Sequence, residues 1–187
     1  MAWCGIARWP EMDIAAPPPV LPMPVFYLGP SASAAGLYSD CLKAGGVQGN
    51  SGVDLRFCED CVVPPMGDDG AATLVDLGVR ARCLRDGAWA PYLLVPRSSL
   101  GLSPLSLANS IGIIDKGYVG SLKVALRNHS KSPYKVERGV SLVQLALPDQ
   151  TPACVLVNEP SDPKFSPSSS VRGEGGHGST GAKGTTY

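Results

Sequence analysis

The sequence predicts an all-β protein with frayed ends. Three observations carry that expectation: the hydrophobic runs are strand-sized, turn-forming pairs recur between them, and 22 Gly with 18 Pro in 187 residues interrupt any longer regular element. The runs are Val25 to Leu28, Val53 to Phe57, Thr73 to Val75, Val79 to Cys83, Tyr92 to Val95, Ser121 to Leu126, Ser141 to Leu147 and Cys154 to Val157. Between them stand Pro64-Pro65, Asp68-Asp69-Gly70, Asp86-Gly87, Lys116-Gly117 and Arg138-Gly139, spaced as in a barrel or sandwich rather than in βαβ units. Ser31 to Gly46 departs from this pattern. There Leu37, Tyr38, Cys41 and Leu42 share one helical face, Ser33 can cap the start and Gly45-Gly46 can end it, so a short helix is expected.

The strands are expected to form one domain over residues 25–158, flanked by two arms. Residues 1–24 hold Pro10, Pro17, Pro18, Pro19, Pro22 and Pro24, which remove backbone donors and favour an extended arm. From residue 159 onward Gly, Ser and Pro dominate, and only Phe165, Val171 and Tyr187 can bury much apolar surface, so this arm is not expected to fold alone. Sixteen Lys and Arg balance sixteen Asp and Glu. That balance argues against a nucleic-acid partner held by its phosphates, so any anion must be gripped locally. No apolar run approaches the ~18 residues needed to span a bilayer, and Trp3, Arg8, Trp9 and Glu11 interrupt the place of a signal core. The expected setting is therefore a soluble, reducing compartment, cytoplasm or nucleus.

Cys4, Cys41, Cys58, Cys61, Cys83 and Cys154 are scattered, and a chain of this length can build a core without cross-links. Cys58-Glu59-Asp60-Cys61 is a lone CxxC without a second pair or nearby histidines, so it reads as packing rather than as zinc ligation.

Five ordered blocks carry the chemistry: Ser51-Gly52-Val53-Asp54-Leu55, Pro96-Arg97-Ser98-Ser99-Leu100, Gly112 to Gly120, Gly139 to Leu145, and Arg172-Gly173-Glu174-Gly175-Gly176-His177-Gly178-Ser179-Thr180-Gly181. The last contains a G-x-G-x-x-G string, but no strand-to-helix unit surrounds it, and Ser179 stands where a Walker loop needs lysine. Freed glycine amides with Ser179, Thr180 and Arg172 can instead wrap an anion. In order and spacing the five blocks resemble the five motifs of trimeric dUTP diphosphatases, over roughly residues 25–181. That resemblance implies a distorted jelly-roll β-barrel, a homotrimer whose active sites are shared between subunits by exchange of the C-terminal arm, and hydrolysis of dUTP to dUMP and pyrophosphate.

It also implies roles. Asp115 is the expected general base, orienting and deprotonating the water that attacks the α-phosphorus. Asn109 to Tyr118 is expected to be a β-hairpin reading uracil with its own main chain through Asn109, Gly112, Ile113 and Ile114, with Tyr118 packed beneath the deoxyribose. A base of opposite polarity strands buried groups at ~1–3 kcal/mol each, and a thymine methyl overpacks the pocket at a similar ~1–3 kcal/mol. Arg97, Ser98 and Ser99 form the phosphate side with Gln144, and Lys123 is a further cation within expected reach. Asp54 is expected to hold Mg²⁺ through water, because that ion takes few protein oxygens beside phosphate. Arg172, His177, Gly178, Ser179 and Thr180 are expected to cover the nucleotide.

Four positions depart from the family pattern. Ser99 replaces glycine after Arg-Ser, so either the turn tolerates a Cβ or the phosphate approach is slightly altered. Ser141 stands in place of an arginine and Val140 of an acid, and His177 in place of a phenylalanine that covers uracil. An imidazole stacks with less area, so closure is expected to weaken as His177 is protonated in mildly acidic solution. Arg-Ser-Ser-Leu also occurs in the related dCTP deaminases, but Ala125 occupies the place of their glutamate base and they lack the glycine-rich motif. A non-catalytic jelly-roll interaction protein is the other alternative.

Overall fold

The computed structural model describes residues 23–39 and 50–166. Their sheets are built from thirteen strands: β1 Val25–Pro30, β2 Gly52–Leu55, β3 Cys61–Val63, β4 Thr73–Asp76, β5 Val79–Arg85, β6 Ala88–Ala90, β7 Tyr92–Pro96, β8 Leu105–Leu107, β9 Gly112–Ile114, β10 Lys123–Asn128, β11 Tyr134–Val136, β12 Val143–Ala146 and β13 Cys154–Val157. The fold is all-β, a distorted jelly roll in which two four-stranded sheets, ordered β13-β1-β5-β6 and β2-β12-β7-β9, are joined by the smaller sheets β4-β10-β8 and β11-β3. Nearly every pairing is antiparallel; β1 with β13 is parallel and brings the last strand back beside the first.

Each run predicted from hydrophobicity contains a strand, with ends that shift by at most two residues. Expected strand 53–57 stops at Leu55, beyond which Phe57 N–H donates to the Val140 carbonyl at 3.0 Å, and expected strand 121–126 starts later, at Lys123. Strands β3, β6, β8 and β11 have only three residues each, too short to leave a periodic signature. Asp86-Gly87 forms the two-residue β5–β6 hairpin that the sequence announced, both residues having positive φ (51° and 75°) as a type I′ turn requires. In the described part of the expected helix, residues 31–39, a 3-10 helix covers Ala35–Tyr38; residues 40–46 lie outside the described residues. Tyr38 anchors it, fully buried, its hydroxyl accepting from Arg56 N–H at 3.0 Å.

The core lies between the sheets and follows the period-2 alternation of the strands. Phe26 meets Tyr92 edge-on, centroids 5.4 Å apart, and the Tyr92 hydroxyl donates to the Ala81 carbonyl at 2.8 Å. Burial pushes that phenol far above the usual tyrosine range, so it remains a neutral donor. Buried Asn128 is fully satisfied: its Nδ2 donates to the Val63 and Ser132 carbonyls, and its Oδ1 accepts from Ser130 N–H and Oγ–H. Cys58, Cys61, Cys83 and Cys154 are free thiols; burial drives Cys83 up to about 11 and raises Cys58 and Cys61. Those of the CxxC therefore pack rather than react.

Candidate active site

The same alternation that fills the core shapes a cleft. On β2, β12 and β7, Val53, Leu55, Val143, Leu145, Tyr92 and Leu94 point inward, and the intervening residues are left on the outer face. That outer face is the floor of a cavity of about 770 Å³, formed by Gly52 and Asp54 from β2, Gln144 and Ala146 from β12, and Leu93 and Val95 from β7. Arg97 and Ser98 close one end just past β7, and Pro148 and Gln150 line the other. A half-polar floor with a guanidinium, an amide and a hydroxyl is what a polyanion needs.

Arg97 is held on two sides. Its Nε lies 2.7 Å from Asp54 Oδ1, and its Nη1 donates to the Ser141 carbonyl at 2.7 Å. The pair is about one-third to two-fifths exposed, so it adds little to stability and instead fixes where the guanidinium points. Register explains the meeting: Gln144 stands opposite both Asp54 and Val95, which puts these three positions on one face of adjacent strands, with Arg97 two residues past Val95. Gly52 is required beside them, since a Cβ there would overlap the Gln144 carboxamide. Gln144 Nε2 contacts the Pro96 carbonyl at a long 3.4 Å.

The turn at Ser99 tolerates a side chain. The Ser99 backbone is ordinary right-handed helical (φ −62°, ψ −29°), so a Cβ is accommodated, and the Ser99 hydroxyl donates to the Ser141 carbonyl at 3.2 Å. It braces Arg97's acceptor and does not line the cavity. The Ser141 carbonyl thus serves both residues, whatever its side chain. Sequence reasoning missed Arg56, which lines the cavity with Asp54 and Arg97. Among the described residues its guanidinium has no ion pair or hydrogen bond. Its spacing was the signal: two residues past Asp54 along an extended segment is the same face.

Asn109 to Tyr118 is not a self-paired hairpin. Its strand, β9, pairs with β7, and turns flank it on both sides. Ser110 takes a left-handed φ of 58° and reverses the chain after β8, which sends β9 to a different sheet from β8. At the other end Tyr118 N–H donates to the Asp115 carbonyl at 2.9 Å, closing a turn, and Tyr118's hydroxyl donates to the Ser121 carbonyl at 2.7 Å. Its ring occupies the space that a Cβ on Gly120 would need, which explains the glycine.

Arg97 and Asp115 stand at opposite ends of the β7–β9 ladder. Leu94 faces Gly112 and Tyr92 faces Ile114. Extending that register separates Arg97 from Asp115 by about six residues, or on the order of 20 Å at about 3.3 Å per residue. Only Ile111 of the whole segment reaches the cavity; Asn109, Gly112, Ile113, Ile114, Asp115 and Tyr118 do not line it. Ile113 is 74% exposed. Lys123 is also not brought there: it lies on β10, exposed, opposite Asp76 in the β4-β10-β8 sheet. Arg172, His177, Gly178, Ser179 and Thr180 lie outside the described residues.

Among the described residues no three His, Cys, Asp or Glu side chains gather into a metal-ligand set. Asp54 is the carboxylate that lines the cavity. One carboxylate on a cleft suits Mg²⁺, which takes its remaining oxygens from phosphate and water, and does not suit a protein-enclosed tetrahedral ion.

A family model described as dUTPase matches residues 43–181, beginning after β1 rather than at Val25. The chain belongs to the dUTPase family. The deoxyuridine 5'-triphosphate nucleotidohydrolase of Clostridioides difficile is 35% identical over 136 residues, covering 72% of this chain and 85% of the relative. The enzyme of the same name from Mycobacterium marinum is 42% identical over 139 residues, covering 71% and 82%. That from Polynucleobacter asymbioticus is 38% identical over 144 residues, covering 76% and 89%. The dUTPase match spans both ends of the β7–β9 ladder and the cavity floor. It also includes residues 167–181, which lie outside the described part. No helix among the described residues is long and apolar enough to cross a membrane.

Proposed function

We propose that this chain hydrolyses dUTP to dUMP and pyrophosphate in active sites shared between copies of itself. Membership of the dUTPase family and the names of its relatives support the reaction. The observation that carries the sharing is the separation of Arg97 from Asp115. A base that aims water at the α-phosphorus works within hydrogen-bond reach of the substrate, and a residue on the order of 20 Å from the phosphate cleft of its own chain cannot do that. A symmetric assembly resolves the conflict by docking the Asp115 turn of one copy at the Arg97 end of the next, and a trimer is the closed form that the family resemblance implies.

In that arrangement the cavity end built by Arg97, Ser98, Gln144 and Arg56 takes the phosphates, whose departing charge must be neutralised as pyrophosphate leaves. Asp54 holds Arg97 in place and is the residue to hold Mg²⁺, which supplies neutralisation of phosphate charge when bound. Asp115 orients the attacking water and takes its proton. The main chain of 109–114 reads the uracil edge, and Tyr118, lying flat on Gly120, backs the sugar. Residues 172–180 are proposed to cover the nucleotide.

Pyrophosphate release measured with dUTP, dCTP, dTTP and UTP tests the substrate, with dUTP expected to dominate. Asp115→Asn is expected to lower kcat by about 10²–10⁴-fold, the usual contribution of a general base. Co-expression of Asp115→Asn with Arg97→Met tests the sharing. Each variant alone is expected to be nearly inactive, whereas mixed trimers should regain about a quarter of the wild-type sites, the random share pairing an intact Arg97 with a neighbour's intact Asp115. No recovery in mixed oligomers would mean that each chain builds its site alone.

A further inference from the structure

Arg82 lies on the outer face of β5, where its neighbours Arg80 and Leu84 are only half-buried, yet it is 3% exposed. Three elements cover it. Its guanidinium lies 3.8 Å from the Trp89 ring centroid, from β6. Its Nη1 donates to the Lys164 carbonyl at 2.9 Å, in the 3-10 helix Pro163–Phe165, and its Nη2 donates to the Lys116 carbonyl at 3.3 Å. Lys116 is the residue after Asp115. A planar fork that reaches two carbonyls on separate segments while stacking on an aromatic ring is a task for arginine and not for lysine.

The Lys164 side of this joint is well built. Asp162 caps the 3-10 helix through Lys164 N–H at 2.9 Å, Arg80 Nη1 donates to the Phe165 carbonyl at 3.3 Å, and buried Phe165 packs on Gly29, where a Cβ would come within 2.7 Å of its ring. The Asp115 turn, by contrast, projects from the end of a three-residue strand.

We propose that Arg82 is a positioning residue for the reaction: its guanidinium ties the Asp115 turn, through the Lys116 carbonyl, to the sheet and to the 162–166 segment, so that the base keeps a fixed aim. The inference rests on the assignment of Asp115 as general base.

The test compares Arg82→Met and Arg82→Lys with Val136→Ala, a core substitution on β11 in the β11-β3 sheet, in steady-state dUTP hydrolysis by the full-length protein. The expected result is a fall in kcat of tenfold or more for both Arg82 variants, with KM within about threefold of wild type. Val136→Ala should lose thermal stability and keep kcat within twofold. Loss of activity that merely follows thermal stability across all three variants, or wild-type kcat in either Arg82 variant, overturns the proposal. If Arg82→Met does not fold, Arg82→Lys decides alone by the same criterion. Amide exchange at residues 116–118 separates the two readings. Wild-type protein that does not hydrolyse dUTP sinks the assigned reaction, while unchanged exchange in Arg82→Lys sinks the tie itself.

Discussion

The two four-stranded sheets use arginine in opposite ways. On β2-β12-β7-β9, Arg97 keeps about a third of its side chain exposed and is held by Asp54 and the Ser141 carbonyl. On β13-β1-β5-β6, Arg82 has almost no exposure, donates to the Lys164 and Lys116 carbonyls and stacks on an indole ring. Burial lowers the Arg82 pKa, yet a guanidinium stays charged under any ordinary condition, so that charge is solvated by carbonyl dipoles. The difference teaches how to tell a binding cation from a bracing one: the first leaves donors facing a cleft, and the second aims them at backbone.

The sharpest break of that comparison is Arg97→Met set beside Arg82→Met. Arg97→Met should leave the melting temperature nearly unchanged, since a half-exposed ion pair contributes about 0–1 kcal/mol. It should nevertheless cut kcat/KM for dUTP by roughly 100-fold through loss of charge-assisted contacts of about 1.5–3 kcal/mol and misplacement of Asp54. If Arg97→Met melts early instead, the contrast between the sheets is wrong.

Arg56 refines it. A guanidinium that lines the cleft without a partner among the described residues belongs with Arg97. Arg56→Gln is expected to raise KM for dUTP about five- to tenfold, a loss of about 1–1.4 kcal/mol, with kcat little changed and weaker dependence of KM on salt. A fall in kcat with constant KM would move Arg56 out of ground-state phosphate binding.

The smallest effect concerns an ion pair at the edge of the bracing sheet. Arg85 Nη2 meets Asp149 Oδ2 at 2.6 Å and holds that carboxyl at about 2, below its ordinary value of 3.8. A carboxylate depressed in the folded state stabilises fully above its unfolded pKa, and the contribution fades as pH falls from about 4 towards 2. Asp149→Asn should therefore flatten the slope of melting temperature against pH in that window and leave dUTP hydrolysis at neutral pH unaltered. An unchanged slope would show that Arg85 and Asp149 are not paired in solution.

Much of the site was legible because its elements are local. Pro96-Arg97-Ser98, Asp54 and Gln144 sit in short stretches whose residue types state their chemistry, and Asp86-Gly87 announces its own turn. Lys123 is close to Gly120 in sequence, yet it stands on β10 in a different sheet from the cleft floor, a separation that strand pairing decides. Ser99 and Arg56 depended on tertiary structure for a similar reason: the hydroxyl beside Arg97 turns to the Ser141 carbonyl, and Arg56, one residue past the Asp54 block, lines the cleft. Arg82 gave no local signal at all, since it alternates with core residues as an outward position should.

The sequence by itself determined the all-β class, the family and the order of its polar motifs, because period-2 alternation and turn chemistry act between neighbours along the chain. Only the tertiary structure decided which face of β2, β12 and β7 became a cleft and that Arg97 and Asp115 stand at opposite ends of one ladder. It also decided that an outward arginine is sealed beneath Trp89 and the 162–166 segment. Strand register and sheet order are set by contacts between residues far apart in sequence, and no short window of sequence contains them.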